Sequence, residues 1–337
     1  MRGLFTAGVI DGMMEAGIVF DGAIGVSAGA VFGCNYKSNQ PGRVLRYNLR
    51  FCKDPRYSSF RSLVTTGDLF GADFCYREIP DRLDPFDKQA YRENPMDFFV
   101  VGTDVHTGQP VYHNCLEGGE EDLDWFRASA SMPLAARIVS VGGYDLLDGG
   151  IADSIPLAYL EEQGYDRNVV ILTQPMGYVK TKNKALPLMR KVYRDYPALL
   201  DTLARRQDVY NETTAAIREK ERRGEVFVIR PEAPLDIKRV DHNRARIQAV
   251  YDLGRAVAEK RLAAMRTFLE ERGNQPRRRE RRNCRAWPPS GGPWPTPGGT
   301  VPCTPWPWGP RGRSPSTPMR RTCRSSPPSG CCPTGGR

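Results

Sequence analysis

The segment Phe20-Asp21-Gly22-Ala23-Ile24-Gly25-Val26-Ser27-Ala28-Gly29-Ala30 restricts the architecture of this chain more than any other. Phe20, Ala23, Ile24 and Val26 read as a short buried strand, and residues 28–36 continue as a helix built of small residues. Between them stands Gly-x-Ser-x-Gly, the pattern of a sharp strand-to-helix turn with a serine at its tip. Glycines two residues before and two after the serine, Gly25 and Gly29, are expected because side chains there would collide with the neighbouring strand and helix. The turn lifts the Ser27 hydroxyl clear of the backbone. It leaves the Ala28 N–H free at a helix N-terminus, where negative charge is favoured. With 33 glycines in 337 residues the pattern is weak by itself, so its strand and helix flanks carry the reading. A phosphate cradle at Gly25 to Gly29 is disfavoured, since no Lys-Ser/Thr pair follows it.

A second segment supplies an acid. Residues 138–141 and 144–147 form an expected β-hairpin turning at Gly142-Gly143, and its second strand runs into Asp148-Gly149-Gly150. Alone, Asp-Gly is an ordinary turn signal. Paired with the serine turn, it becomes a candidate general base held at a strand end.

The chain has three histidines, His106, His113 and His242. His106 and His113 flank an expected hairpin and read as turn and strand residues, whereas His242 lies in a charged stretch that starts a helix. A Ser27, Asp148, His242 triad in α/β-hydrolase order is formally available. That fold places several strands before its nucleophile, however, and there is room here for about one. A serine activated directly by aspartate is the economical alternative, because a base needs only hydrogen-bond reach and a suitable pKa.

Along the body, strands at 97–103 and 167–173 alternate with helices at 123–132, ended by Pro133, and 156–163. The expected class is α/β with a largely parallel sheet. From Lys184 the chain turns mainly helical, with a charged helix over 209–223, a strand at 226–229 and a last amphipathic helix. In that helix Ile247, Val250, Tyr251, Leu253, Val257, Leu262, Met265 and Leu269 recur at near-helical spacing, as a core-facing stripe does.

These segments together resemble the patatin-like phospholipases, in particular bacterial members with a helical C-terminal extension. Arg2-Gly3-Leu4-Phe5-Thr6-Ala7-Gly8-Val9-Ile10-Asp11 is similar to the end of the family's oxyanion loop and its first helix. Gly25-Val26-Ser27-Ala28-Gly29 resembles its nucleophile turn, and Asp148-Gly149-Gly150 its Asp-Gly-Gly/Ala motif. Residues 103–108 and 128–133 also resemble family segments. The resemblance implies a three-layer α/β/α fold with a mainly parallel central sheet and a serine acyl hydrolase with Ser27 as nucleophile and Asp148 as base. It also implies oxyanion donors at Gly3 and Ala28, a lipid ester substrate met at a membrane or micelle surface, and no metal or other cofactor. In the family a hydrophobic strand and a run of glycines precede the Arg-Gly pair. This chain begins at Met1, on the edge of that motif, so the first strand and most oxyanion glycines are expected to be missing. The rival reading is a non-catalytic lipid-binding or scaffold protein whose oxyanion loop has been lost.

The expected organisation is a hydrolase domain over 1–175, a helical extension over 176–272, and a disordered Arg/Pro/Gly-rich tail over 273–337. The net charge of +10 belongs to the tail. Residues 273–337 hold 12 of the 49 basic residues and one of the 39 acids, which leaves a net of −1 on residues 1–272. The tail also holds 15 of 28 prolines and lacks Leu, Ile, Phe, Tyr, Lys and Asp, so it cannot bury a core. Such a composition is what a GC-rich gene yields when read out of frame, and it points to a frameshift product. The run Arg277-Arg278-Arg279-Glu280-Arg281-Arg282 could otherwise touch nucleic acid or anionic lipid, with no specific nucleic-acid partner expected. Cys34, Cys52, Cys75 and Cys115 are widely spaced and read as reduced, mostly buried thiols. Without a signal peptide or a run of 18 apolar residues, the expected location is cytoplasmic, peripheral at membranes.

Overall fold

The computed structural model describes residues 1–271. The expectations for residues 273–337, including the disordered tail and its Arg run, lie outside the described residues. The chain begins with α1 (Gly3–Glu15), β1 (Gly22–Val26), α2 (Ala28–Lys37), α3 (Arg43–Phe51) and α4 (Phe60–Thr66). A π-helical segment, Phe74–Leu83, leads to α5 (Lys88–Glu93), β2 (Asp97–Asp104), β3 (Pro110–Asn114) and α6 (Glu120–Ser129). The hairpin β4 (Val139–Val141) and β5 (Tyr144–Asp148) follows, then a tight turn at Gly149–Ile151 and α7 (Leu157–Glu162). The last elements are β6 (Asn168–Ile171), α8 (Leu186–Val192), α9 (Pro197–Arg222), β7 (Val226–Ile229) and α10 (Arg244–Glu270).

β2 is the axis of the main sheet. Its Phe98-Phe99-Val100-Val101 run is buried on both faces, as expected of a central strand. β1 pairs with it in parallel, with Val26 opposite Val101, and β5 pairs with it antiparallel, with Asp148 opposite Gly102. β3 and β4 complete the sheet as hairpin partners. The sheet is therefore mixed, and less parallel than the sequence pattern suggests. Parallel pairing occurs where helices intervene, at β1–β2 and at the separate β6–β7 pair, while the short loops after β2 and β4 allow only antiparallel return.

Helices cover both faces, as the three-layer α/β/α reading requires. Phe98, Val100 and Leu146 point into one cluster with Ala30 and Cys34 of α2 and Trp125 and Phe126 of α6. The alternate residues point the other way: Phe99 meets the Tyr159 ring of α7 edge-on at 5.4 Å, and Leu147 packs with Leu199 and Leu203 of α9. The β4–β5 hairpin turns at Gly142 and Gly143, both at positive φ, as the Gly-Gly pair predicts. α6 starts at Glu120, where three successive acids favour a helix N-terminus, and stops at Ser129, ahead of Pro133. α9 is longer than the expected 209–223, reaching back to a proline at its first position.

α10 is a long amphipathic helix whose buried face includes Ile247, Val250, Tyr251 and Met265. Leu253, expected on that face, is 43 % exposed, and its neighbour Gly254 is buried instead. The reason is a close crossing with α1. A Cβ on Gly254 would stand 2.1 Å from Phe5 O, and one on Gly8 would stand 2.1 Å from Tyr251 O, so the two backbones touch where both side chains are absent.

Candidate active site

The register of the main sheet brings the two candidate catalytic side chains together. β1 and β5 follow one another along the edge of β2 that faces away from β3: β1 ends with Val26 opposite Val101, and β5 ends with Asp148 opposite the next residue, Gly102. Ser27 directly follows Val26, so the two strand ends meet and bring the serine and the aspartate side by side. Ser27 Oγ donates to Asp148 Oδ2 at 2.6 Å. That is the length of a charge-assisted O–H···O⁻ bond.

Ser27 occupies the turn with φ 55° and ψ −119°, a conformation that is strained for a residue with a side chain. Gly25 is required by the same turn, since a Cβ on it would lie 2.5 Å from Gly29 O and 2.6 Å from Ala30 N. Gly29 corrects the sequence reading: a Cβ there would meet nothing within 4 Å. The steric demand for glycine is thus one-sided. The Ser27 N–H is held by Ser129 Oγ at 2.9 Å, and Ser129 is fully buried at the end of α6. Sequence reasoning noted the segment around Ser129 without giving this residue a role. Ser129 lies within the helix expected over 123–132, and nothing in the sequence marks it as a partner of Ser27.

Asp148 is 4 % exposed. Its Oδ1 accepts the Gly150 N–H at 2.8 Å, and its backbone is fixed by Ser131 O and the Thr103 hydroxyl. Gly149 lies so close to β2 that a Cβ would stand 2.1 Å from Val101 O. Burial pushes the Asp148 carboxyl above its ordinary value, opposed by the bond from Ser27, the charge of Arg206, the Gly150 N–H and the charge of Lys180. Arg206 of α9 donates from Nε to Gly150 O at 2.5 Å.

The two candidate oxyanion donors also meet. A Cβ on Gly3 would touch Ala28 Cβ at 2.6 Å, so the first turns of α1 and α2 abut. Gly3 and Ala28 are first residues of their helices, where the helix offers no acceptor for an N–H, and neither helix has a side-chain N-cap. The histidines are elsewhere engaged. His242 Nδ1 bonds to Cys52 O, His106 pairs with Asp145 at 3.0 Å, and His113 stacks on Trp125. None of them is hydrogen-bonded to Ser27 or Asp148. A potential ligand trio, His113, Cys115 and Asp122, has its donor atoms within 4.8 Å of one another. There Asp122 Oδ2 already accepts the Glu117 and Gly118 N–H groups, and burial first, then Asp122, push the Cys115 thiol well up. A proton-bearing thiol and an occupied carboxylate suit internal hydrogen bonding better than a cation. The four described cysteines are free thiols, with Cys34, Cys52 and Cys115 buried.

Residues 1–161, which include the Ser27 turn and the Asp148 loop, match the family model for patatin-like phospholipase. They belong to the patatin-like phospholipase family. At the level of this family the activity is hydrolysis of lipid esters. Residues 196–270, covering α9 and α10, match a second model, a domain of unknown function. An uncharacterized protein of Escherichia coli K12, YjjU, is 27% identical over 276 residues, which span 80% of this chain and 77% of that protein. Its similarity thus extends past the patatin-like segment. No helix among the described residues is long and apolar enough to cross a membrane.

Proposed function

We propose that the chain is a serine acyl hydrolase that cleaves carboxylic esters of lipids through Ser27 and Asp148. The observation that carries this reading is the 2.6 Å bond between Ser27 Oγ and a buried Asp148 carboxylate at the tip of a strained turn. Asp148 Oδ2 takes the proton as Ser27 Oγ attacks the ester carbonyl. The oxyanion that forms collects the Ala28 and Gly3 N–H groups. Collapse of the tetrahedral species breaks the C–O bond, and Asp148 returns the proton to the departing alcohol. Water then attacks the acyl-Ser27 ester with Asp148 again as base, releasing the fatty acid and restoring the serine. The burial that raises the Asp148 pKa makes it a stronger base than an exposed carboxylate. The Ser27 hydrogen bond, the Gly150 N–H and the charges of Arg206 and Lys180 oppose that rise. The substrate is met transiently at a membrane or micelle surface.

A p-nitrophenyl ester assay on wild type and Ser27→Ala tests the reading, with mass spectrometry for an acyl adduct on Ser27. Loss of both turnover and adduct in the variant is expected. Undiminished turnover by Ser27→Ala would sink it.

A further inference from the structure

Two cations carried from outside the patatin-like segment converge on the Asp148 loop. Arg206 and Tyr210 lie four residues apart on α9, and so on one face of the helix. Arg206 reaches the Gly150 carbonyl, two residues after Asp148. Lys180 belongs to the segment between β6 and α8, where Asn211 of α9 fixes it: the Lys180 N–H donates to Asn211 Oδ1 at 2.8 Å and Asn211 Nδ2 donates to Lys180 O at 3.0 Å. Lys180 Nζ then rests 4.0 Å from the centroid of the Tyr210 ring.

Among the described residues neither Arg206 nor Lys180 has a carboxylate oxygen within ion-pair distance. Asp148, which feels the charge of both, spends its oxygens on Ser27 and Gly150. Positive charge accumulates as a result. Burial first, and then Arg206 and Arg2, push the Lys180 ammonium down to about 7. Half-buried cations with no carboxylate in contact favour an anion arriving from solution. The Lys180 segment also exposes Met176, Tyr178 and Val179, by 59%, 38% and 64%. An apolar lip beside a cationic pocket matches an amphiphile with an anionic head.

We propose that Lys180 and Arg206 form an anion subsite beside the Ser27 ester site that receives a phosphate group of the substrate. Part of the work of residues 196–270 is then to supply that subsite: α9 contributes Arg206, seats Lys180 through Asn211 and Tyr210, and thereby favours phosphate-bearing acyl esters over neutral ones. The proposal rests on the hydrolase reading of Ser27. It is nevertheless testable without turnover.

In one arm, wild type, Lys180→Gln, Lys180→Arg and Arg206→Gln hydrolyse oleoyl lysophosphatidic acid and monooleoylglycerol in the same neutral detergent micelles. The two esters differ only in the phosphate. Wild type should favour the phosphate ester in kcat/KM. The preference should fall about tenfold in Lys180→Gln and Arg206→Gln, with Lys180→Arg retaining most of it. An unchanged ratio in both glutamine variants overturns the subsite. In the second arm Ser27→Ala is titrated with inorganic phosphate and with lysophosphatidic acid micelles, then again with Lys180→Gln added. Binding of the lipid that weakens with Lys180→Gln supports a headgroup subsite, and binding of inorganic phosphate alone makes free phosphate its ligand. Binding indifferent to Lys180 refutes it. If wild type hydrolyses neither ester, the hydrolase reading fails while the titration still decides the subsite.

Discussion

Asp148→Asn separates the work of this side chain in chemistry from its effect on folding, and the two should move in opposite directions. The amide keeps the shape and can still accept the Gly150 N–H with its oxygen, but it cannot take the Ser27 proton. A positioned general base is worth about 100- to 10,000-fold, or roughly 3–5 kcal/mol of barrier. Esterase kcat/KM should therefore drop by about 1000-fold. The stability effect follows from the sign of the pKa shift. Burial holds the folded carboxyl above its ordinary value of 3.8, so the native state binds its proton more tightly than the unfolded chain does. The ionised carboxylate is then a net destabilising element at every pH above the folded pKa, and its effect vanishes below the unfolded one. At pH 7 the variant should melt at the same temperature as wild type or higher, and the gap should narrow as pH falls toward 4. Steady-state p-nitrophenyl butyrate kinetics and thermal melts followed by circular dichroism at pH 7, 5.5 and 4 read both quantities. A variant within tenfold of wild-type activity would falsify the base assignment. A melting temperature lowered at pH 7 would show that Asp148 stabilises the fold as a charge, contrary to the argument from burial.

The one-sided steric demand of the serine turn gives a paired test. Gly25→Ala should prevent folding or destabilise by more than about 3 kcal/mol, because its Cβ meets backbone at 2.5 Å, whereas Gly29→Ala should be neutral or stabilise by up to about 1 kcal/mol through helix propensity. Urea denaturation compares them, and equal destabilisation by both would contradict the geometry. Ser129→Ala leaves the Ser27 N–H without its partner, so it should destabilise by about 1–3 kcal/mol and lower kcat more than it raises KM. A pure KM effect in substrate titrations would place Ser129 in binding rather than in holding the turn.

The parts of the site that were legible in the sequence are those where backbone geometry leaves a residue signature. Gly25 records a collision with the next helix turn, Gly149 a collision with Val101 O, and Gly142-Gly143 a two-residue turn at positive φ. The strands β2 and β7 were legible as apolar runs. Side chains that act across long sequence separations leave no such trace. Ser129 supports Ser27 from 102 residues away, and Arg206 reaches Gly150 from 56 residues away. Each looks like an ordinary helical residue until the sheet and α9 are assembled. The pairing sense of the sheet was misjudged for a related reason. An α-then-β alternation indicates that crossovers exist, but it does not say which strands neighbour each other, and β5 returns beside β2 from a hairpin. The amphipathic stripe of α10 erred at Leu253 because periodicity weighs hydrophobicity alone. The α1 crossing selects instead for the absence of a side chain, at Gly254.

Two locally unfavourable features meet at this site, a serine at positive φ and an aspartate stripped of water. Each costs on the order of 1–3 kcal/mol by itself. Neither could persist on a mobile loop, where the chain would relax the dihedral and hydrate the carboxylate. Here both are attached to strand ends that cannot shift independently. β1 is locked to β2 from Gly22 opposite Asp97 to Val26 opposite Val101, β5 is locked to the next stretch of the same edge of β2 from Gly102 to Asp104, and buried clusters clamp the sheet from both faces. The single bond from Ser27 to Asp148 then joins two already immobile elements, so forming it orders little that was free. A short, well-aligned bond between a strained hydroxyl and a buried carboxylate is consequently a property of the sheet register, with β2 as the element that sets the distance.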